Sequence, residues 1–260
     1  MGILNVTPDS FSDGGHNSNV EQALKHALQM VAQGADILDI GGESTRPGAK
    51  AVGVQQELDR VIPVIEAIRE HSDIPISLDT SKTEVMRAGV GAGANMINDV
   101  NALRAEGAIA AVSSLQVPVC LMHMQGQPRT MQHNPQYEDC VADVIAFLLQ
   151  RVEACVQGGI ARCEIALDPG FGFGKTLPHN IALFRGLDRF VRTGYPVMIG
   201  VSRKTMIGEM IGRPVEQRVT GSAVAAAIAA SQGVAIVRVH DVAETRDAMV
   251  VMQMLKQGMQ

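Results

Sequence analysis

Short apolar runs alternate with segments of helical periodicity along the chain, and this alternation constrains the fold most strongly. The apolar runs predict eight strands, and the segments between them, with apolar residues three or four positions apart, predict eight helices. Each unit takes roughly 34 residues, close to the ~30 or more of a βαβ unit. Ser81 and Glu84, spaced as in a capping box, predict the start of the third helix. The predicted strands span residues 2–6, 36–40, 75–79, 96–100, 117–124, 165–168, 196–202 and 235–240.

Strands that are apolar throughout are typical of parallel sheets that helices cover. Eight βα units in ~250 residues make a (β/α)8 barrel. An open doubly wound sheet is the alternative, but it usually has fewer strands and carries a glycine fingerprint after the first of them. Because no linker or shift in composition interrupts the chain, we predict an α/β fold with a single TIM-barrel domain over residues 1–260.

The composition argues against several classes of partner. A formal net charge of −5 disfavours nucleic acid or an anionic membrane as the main partner. Trp is absent and aromatic residues make up 3%, which disfavours stacking platforms for bases. No run reaches the ~18 apolar residues of a membrane helix, and residues 1–20 lack the features of a secretory leader. The four cysteines form no CxxC pair, so we expect reduced thiols in a cytoplasmic protein.

Polar residues stand at or near the end of every predicted strand. In a barrel of this type the carboxyl ends of the strands meet at one rim, where active sites lie. Residues 7–19 and 43–54 follow the first two strands and are rich in Gly, Pro and Ser, so we predict that they act as lids. The polar residues expected at the rim are Asn5, Asp39, Asp79, Asn98, His123, Asp168, Ser202 and His240.

The stretch CEIALDPGFGFGKT at residues 163–176 mimics a phosphate-binding loop. A P-loop needs a glycine five residues before the Gly-Lys pair, and Pro169 occupies that position. The three alternating glycines also lack the spacing of the dinucleotide fingerprint. A flexible turn after a buried strand is the simpler interpretation. The recurrence of polar residues at other strand ends favours a functional loop headed by Asp168.

The predicted rim carries acidic and cationic groups on different strands. A carboxylate such as Asp79 or Asp168 matches two parallel N–H donors of an amino-amidine heterocycle, and Asn98 can donate and accept beside it. Barrels often bind phosphate after strands seven and eight. For Arg238 and His240, a salt-bridge pair at the surface is the alternative. No closely spaced ligand set predicts a tightly held structural metal. The cationic residues are Lys204, Arg238 and His240.

Eight motifs run in order from Gly2 to the last helix: GILNVTPDSFSDGG (2–15), DIGGESTRPGA (39–49), SLDTSK (77–82), INDV (97–100), LMHMQG (121–126), LDPGFGFGK (167–175), SRK (202–204) and RVHDV (238–242). In these motifs nearly the whole chain resembles the dihydropteroate synthase family of folate biosynthesis. The resemblance implies a transferase on a pterin-binding TIM barrel. Such enzymes join p-aminobenzoate to 6-hydroxymethyl-7,8-dihydropterin diphosphate and release diphosphate, and sulfonamide inhibitors compete for the p-aminobenzoate site.

The resemblance also implies roles for individual positions. Pterin binding falls to Asp79, Asn98, Asp168 and Lys204, with Met122 lining the pocket. Diphosphate binding falls to Arg238, His240, Asn5 and Thr45, and Asn5 also helps to bind the accompanying Mg2+. The p-aminobenzoate site is framed by Arg46, Pro47, Phe173, Lys204 and Thr205. The residues assigned to catalysis are Asp39, Asp79, Lys204, Arg238 and His240.

The mechanism implied by the resemblance needs no covalent nucleophile, so we predict that none of the cysteines acts as one. Diphosphate departs, a methylene cation conjugated with the pterin forms, and the amine of p-aminobenzoate attacks it. A pterin-dependent methyltransferase and a non-catalytic folate-binding homologue are the alternatives; the first has no need of a diphosphate site. The resemblance further implies a homodimer. The family usually has a β-hairpin before the first barrel strand, and we expect this chain to lack it.

Overall fold

The computed structural model describes residues 1–7, 16–44, 48, 51–126 and 130–257. Within these ranges each strand is followed by at least one helix, as the sequence predicts. The strands are β1 (Gly2–Asn5), β2 (Leu38–Gly41), β3 (Ile76–Asp79), β4 (Met96–Asp99), β5 (Val119–Met122), β6 (Ile165–Asp168), β7 (Met198–Ile199) and β8 (Ile236–Val237). The helices are α1 (His16–Ala32), α2 (Val54–Arg69), α3 (Thr83–Gly91), α4 (Ala108–Leu115), α5 (Cys140–Gln157), α6 (Leu177–Arg185), α7 (Leu187–Val191), α8 (Thr205–Ile211), α9 (Val219–Ser231) and α10 (Val242–Gln257).

Strands β1–β6 form one parallel sheet in sequence order, and β7 pairs with β8 in a second parallel sheet. Two parallel bridges connect these sheets: Leu167 pairs with Val197, and Gly2 pairs with Val239. The amide of Ile3 donates to the carbonyl of Val239 at 2.9 Å across the second bridge. The α/β class and the parallel pairing are therefore confirmed, and the carboxyl ends of β1–β6 lie along one edge.

Successive residues of the central strands point into two different apolar clusters. Ile97 and Leu121 belong to the main core between the strands and the helices. Their neighbours Met96 and Cys120 belong to a smaller cluster that also contains Met198. The alternation follows from the period of two along a strand. Both faces of the strands are buried, which explains why most of their residues are apolar; Asp39 of β2 and Ser77 of β3 are buried polar exceptions within the strands.

Helix starts depend on side-chain caps at two places. The carboxylate of Asp139 accepts from the amides of Val141 and Ala142 at the start of α5, and Thr176 forms a capping box with His179 at the start of α6. The capping box predicted for Ser81 and Glu84 is wrong. The Ser81 hydroxyl instead donates to the buried carboxylate of Asp99 at 2.6 Å, and α3 begins without a side-chain cap.

The number and ends of several elements differ from the prediction. Ten α-helices occur in the described ranges, where the periodicity predicted eight, because the long segment between β6 and β8 contains α6, α7, α8 and α9. The last two strands are also shorter than predicted, so that Ser202, Arg238 and His240 follow their strands. Among the described residues, no helix is long and apolar enough to cross a membrane.

Candidate active site

Two carboxylates, one amide and one guanidinium from four parts of the fold form a cluster. Asp39 lies within β2, Asp79 ends β3, Asn98 lies in β4 and Arg238 directly follows β8. Arg238 Nε donates to Asp39 Oδ2 at 2.5 Å, and Arg238 Nη2 donates to Asp79 Oδ2 at 2.9 Å. The amide of Asn98 donates to both Asp39 oxygens, at 3.3 and 3.5 Å. Asp39 is fully buried and Arg238 is largely buried, so these bonds are shielded from water. The structure thus brings four predicted site residues into direct contact.

Burial and pairing act in opposite directions on the charges of this cluster. Burial raises the pKa of Asp79 to about 7, although Arg238 lowers it. Burial alone would lower the pKa of Arg238, but Asp39 and Asp79 outweigh it and leave that pKa raised. Arg238 therefore stabilises both carboxylates, and Asp79 ionises less readily than an exposed carboxylate does. A ligand that supplies N–H donors to Asp79 would favour its charged form.

Asp168 ends β6 and Lys204 directly precedes α8, and the two residues influence each other's pKa. Burial raises the pKa of Asp168, whereas Lys204 and the amide of Gly170 lower it. Burial lowers the pKa of Lys204 to about 8, and Asp168 opposes that shift. The Lys204 ammonium also donates to the carbonyl of Phe171 and lies 4.5 Å from the centre of the Phe173 ring. The lysine therefore connects a buried carboxylate with an aromatic face.

The glycine-rich loop after β6 depends on left-handed backbone at alternate positions. Gly170, Gly172 and Gly174 have φ of 68°, 80° and 64°, a region that side chains disfavour. A Cβ at Gly170 would also lie 1.9 Å from the carbonyl oxygen of His123. The amide of Gly170 donates to Asp168 Oδ1 at 2.7 Å, so the turn fixes one carboxylate oxygen. The glycines thus serve close packing of the loop beside Asp168.

Lys175 and His123 form a buried pair that the sequence analysis did not identify. The Lys175 ammonium lies 2.9 Å from His123 Nδ1 and donates to the carbonyls of Gly170 and Phe173. His123 was predicted at the rim, but it packs edge-on against Phe147 and beside Tyr137. The two partners are far apart in sequence, so no local spacing reveals the pair. The one sequence feature that could have drawn attention to Lys175 was the Gly174-Lys175 dipeptide at the end of the glycine-rich loop.

Met122 lies in a small apolar cluster beside the same loop. It is buried together with Met124 and Met131, and Val100 and Phe173 pack against them. Met side chains adapt to irregular apolar surfaces and pack well against flat rings. The cluster therefore places apolar side chains next to Asp168, with which Met122 pairs across β5 and β6.

The remaining predicted residues surround these groups at varied depth. His240 lies beside Ser202, whose Oγ is 3.0 Å from the His240 Nδ1. Arg203, adjacent to Lys204, is paired with Asp241. Asn5 is half-buried at the end of β1, and Thr205 is exposed at the first position of α8. Within the protein, His240 and Arg238 therefore contact different side chains.

Thr45, Arg46 and Pro47 lie outside the described residues, as does most of the predicted lid at residues 7–19. The described part of the second loop is attached to the fold by charge. Glu43 accepts from the amide of Val52 at 3.0 Å, and the Lys82 ammonium pairs with both Glu43 and Glu57. Glu57 is fully buried, and its ion pair with Lys82 is another contact that the sequence patterns did not predict.

The sequence matches the family model of the pterin binding enzymes over residues 1–240. The chain belongs to this family. The curated dihydropteroate synthase of Escherichia coli K12 is 51% identical over 253 residues, which are 97% of this chain and 90% of that protein. The matched residues 1–240 include every predicted site residue described above. The resemblance to dihydropteroate synthases is confirmed.

Two solved structures of pterin-binding enzymes are similar over nearly their full length. The dihydropteroate synthase of Yersinia pestis in a sulfonamide drug complex has a TM-score of 0.94 and 51% identity, covering 99% of this chain and 94% of that one. The Xanthomonas albilineans dihydropteroate synthase with 4-aminobenzoic acid has a TM-score of 0.94 and 54% identity, covering 98% and 92%.

The arrangement suits a polar aromatic ligand that carries an anionic group. Asp79, Asp168 and Asn98 offer acceptors and a donor for a heterocycle edge, while Arg238 and Lys204 offer buried positive charge. Among the described residues, no group of three or more His, Cys, Asp or Glu side chains has the geometry of a metal site. Any metal ion here would depend on ligands from a substrate, as Mg2+ commonly does.

Proposed function

We propose that the chain condenses p-aminobenzoate with 6-hydroxymethyl-7,8-dihydropterin diphosphate to form 7,8-dihydropteroate and diphosphate. The observation that carries this proposal is the joint cluster of Asp39, Asp79, Asn98 and Arg238 next to the Asp168–Lys204 pair. A pterin and its leaving group need both signs of charge within one site. The family membership and the two similar dihydropteroate synthases support the same reaction.

We further propose that residues 1–260 are one domain and that the strands close into an eight-stranded barrel. The bridges Leu167–Val197 and Gly2–Val239 support closure, because they join the edges of the six-stranded sheet to β7 and to the segment after β8. The small cluster of Met96, Cys120 and Met198 also fits the interior of such a barrel. A closed ring would bring Asn5 and Arg238 to neighbouring positions on one rim.

In this proposal the pterin ring lies among Asp79, Asn98 and Asp168. The two carboxylates accept from the amino-amidine edge of the ring, and charge-assisted bonds of this type are about twice as strong as neutral ones. Asn98 is held by Asp39, which fixes the direction of its amide. Lys204 lies beside the ring, and Met122 forms the apolar wall.

The diphosphate would be held by Arg238, His240, Asn5 and Thr45. Only two of the five N–H groups of Arg238 are engaged in the bonds to Asp39 and Asp79 that the structure describes, so the guanidinium can also donate to a phosphate oxygen. The pairing with two acids limits how far the guanidinium can move. His240 is oriented by the Ser202 hydroxyl.

Mg2+ is the expected companion of the diphosphate, with Asn5 as its protein ligand. The donor chemistry fits, because Mg2+ takes oxygen ligands, retains waters and binds mainly through substrate phosphates. The side-chain amide oxygen of half-buried Asn5 is suited to a single bond of this kind. When bound, the ion would neutralise part of the charge on the leaving group.

The p-aminobenzoate would bind at the outer side of the site, between Phe173 and residues 45–47. Phe173 offers a ring face, and Lys204 above it offers a positive charge for a carboxylate. Thr205 is exposed next to Lys204 and can donate a hydrogen bond to the same group. Arg46 and Pro47 complete this proposed site, and sulfonamides would compete for it.

The chemistry then follows from charge placement. As diphosphate leaves, positive charge develops on the pterin methylene, and the carboxylates of Asp79 and Asp168 stabilise it. Arg238 and His240 stabilise the departing anion, and the amine of p-aminobenzoate attacks. No covalent enzyme intermediate is needed. Burial raises the pKa of Cys140 and Cys155 to about 11, which disfavours thiolate at neutral pH.

A homodimer is the proposed assembly, formed through the late helices. Helix α10 packs against α9, and together they expose a row of apolar side chains. Val251 is 58% exposed, and Met254 and Leu255 are each 67% exposed. Contiguous apolar surface of this kind marks contact with another protein. The cytoplasmic location remains a prediction from the sequence.

One experiment separates the proposed function from its two alternatives. The protein is incubated with the pterin diphosphate and p-aminobenzoate, and dihydropteroate is detected by mass spectrometry. A parallel reaction contains methyl-tetrahydrofolate and a thiol acceptor. Dihydropteroate formation supports the synthase, methyl transfer would identify a methyltransferase, and pterin binding without either product would identify a binding protein.

A further inference from the structure

Lys175 is a buried cation to which the proposed mechanism assigns no role. The residue is 3% exposed, and its Nζ lies 2.8 Å from the Gly170 carbonyl oxygen and 2.9 Å from the Phe173 carbonyl oxygen. The third neighbour is His123 Nδ1 at 2.9 Å. An ammonium has three N–H donors and no acceptor, so three acceptors satisfy it completely. His123 then accepts at Nδ1 and carries its own proton at Nε2.

The same three acceptors are linked to two proposed substrate contacts. The amide of Gly170 donates to Asp168 Oδ1 at 2.7 Å, and the amide of His123 donates to the Asp168 carbonyl at 2.9 Å. Phe173 carries the ring that lies under Lys204. Lys175 therefore contacts both residues whose amides donate to Asp168, namely Gly170 and His123, and also the backbone of Phe173.

We propose that Lys175 is a positioning residue that holds Asp168 for the pterin and Phe173 for p-aminobenzoate at the same time. It does so by tying the glycine-rich loop to the end of β5 through His123. This inference rests on the proposed function for the identity of the two substrates. The contacts that carry it are independent of that function.

The loop needs such a tie because its glycines do not define a conformation by themselves. Gly170, Gly172 and Gly174 all have positive φ, and glycine backbone loses more entropy on ordering than any other residue. Other side chains anchor the loop elsewhere: Asn180 accepts from the amide of Gly172 at 2.8 Å, and Tyr137 donates to the Gly174 carbonyl at 2.8 Å. Lys204 and Gln132 donate to the carbonyls of Phe171 and Gly172. Only Lys175 contacts two loop carbonyls and a strand end together, among the described residues.

A fluorescence experiment tests the positioning directly and does not require activity. The natural chain contains no Trp, so Phe173→Trp introduces a single reporter at the loop. Adding Lys175→Met to this variant is expected to shift the emission to longer wavelength and to increase quenching by iodide. Lys25→Met, the same change at an exposed lysine of α1, is the control and should leave both signals unchanged. Equal spectra for the Lys175 and Lys25 variants would contradict the proposal.

Kinetics supply the second test, in the chain that retains Phe173. Lys175→Met should raise the KM for p-aminobenzoate at least tenfold and that for the pterin diphosphate at least threefold, with circular dichroism unchanged. Both values within twofold of the Lys25→Met control would overturn the proposal. If Lys175→Met does not fold, Lys175→Gln is tested in both experiments, and failure of both variants to fold would assign the lysine to folding and overturn the proposal. A natural chain without condensation activity would contradict the proposed function instead, leaving the fluorescence test valid.

Discussion

At the residue scale, the site depends on cations that are shared between acids. Arg238 forms ion pairs with both Asp39 and Asp79. Lys204 lies near enough to Asp168 to feel its charge, and the Asp168 carboxylate can still accept from a pterin. Buried charges without partners are costly, so these cations allow three carboxylates to remain at one rim. The proposed pterin edge would then meet carboxylates that the fold has already oriented.

Asp168→Asn should reduce pterin binding before it affects p-aminobenzoate. The substitution removes a charge-assisted acceptor, which contributes about 1.5–3 kcal/mol, or roughly a 10- to 150-fold change in Kd. Calorimetric titration with the pterin diphosphate measures it, and Asp188→Asn, at an exposed position of α7, is the control. Unchanged pterin affinity with weakened p-aminobenzoate binding would show that Asp168 has been assigned to the wrong substrate.

Asp79→Asn should make the protein more stable above neutral pH and unable to bind the pterin tightly. Burial raises the pKa of Asp79 from 3.8 to about 7 in the folded protein, so folding favours the protonated form. That contribution is present below pH ~4 and is lost as the pH rises through 7. The variant should therefore gain about 4 kcal/mol at pH 8, from a shift of about three units at 1.36 kcal/mol each, and less than about 1 kcal/mol at pH 4.

Urea unfolding at these two pH values checks the Asp79 prediction. Asp188→Asn, whose carboxylate is exposed, should show no pH-dependent gain. A variant that is less stable than the natural chain at pH 8 would mean that the bond from Arg238 outweighs the effect of burial.

Sequence patterns predicted the residues at strand ends better than the contacts between them. Asp79 and Asp168 were located because each directly follows an apolar run, and both end a strand in the structure. The Lys175–His123 pair was not predicted, since it joins two strand ends through a loop whose turns depend on positive φ. The ion pairs of Arg238 were also missed, because sequence shows the strand order and leaves the direction of a long side chain open.

At the element scale, close approach of helices to strands is built from small residues. Gly89 of α3 lies directly over Leu78 of β3, and a Cβ at Gly89 would lie 2.2 Å from Leu78 Cδ2. Leu78 is fully buried next to the strand end that carries Asp79. The position of α3 therefore helps to define where Asp79 lies.

Gly89→Ala should destabilise the protein by about 1–3 kcal/mol, because an extra methyl in a packed core forces neighbours apart. Gly91→Ala on the same helix is the matched control: nothing lies within 4 Å of a Cβ there. That change should be neutral or stabilise by up to about 1 kcal/mol, owing to the better helix propensity of Ala. Chemical unfolding measures both, and equal effects would contradict the close approach of α3 to β3.

The ends of helices and strands were predictable where one periodic pattern continued. They were not predictable where short helices and loops alternate, as between β6 and β8. Between β6 and β8 the pattern predicted too few helices, because α7 and α8 are short and lack a full apolar stripe. Ser81 was expected to cap α3, yet Asp99 offers its hydroxyl a buried charged acceptor. Tertiary partners of this kind override local capping rules.

At the scale of the whole molecule, polar chemistry and apolar surface lie on different parts of the fold. The proposed rim gathers charges at strand ends, whereas α9 and α10 expose apolar side chains. The proposed barrel and homodimer are thus separate claims that can fail independently.

Val251→Glu should convert a dimer into a monomer without loss of secondary structure. A charge placed on the exposed apolar row of α10 would be desolvated in an interface and so oppose association. Sedimentation velocity measures the mass, and Leu149→Glu, at an exposed apolar residue of α5, is the control. A natural chain that sediments as a monomer, or a Val251 variant that remains dimeric, would contradict this interface.

Diphosphate release as a function of p-aminobenzoate concentration tests the central claim most directly. We expect negligible release from the pterin diphosphate alone, saturating release as p-aminobenzoate is added, and one dihydropteroate formed for each diphosphate. A sulfonamide should raise the p-aminobenzoate concentration needed for half-maximal release. Release that is independent of p-aminobenzoate, or tight pterin binding with no release, would contradict the account.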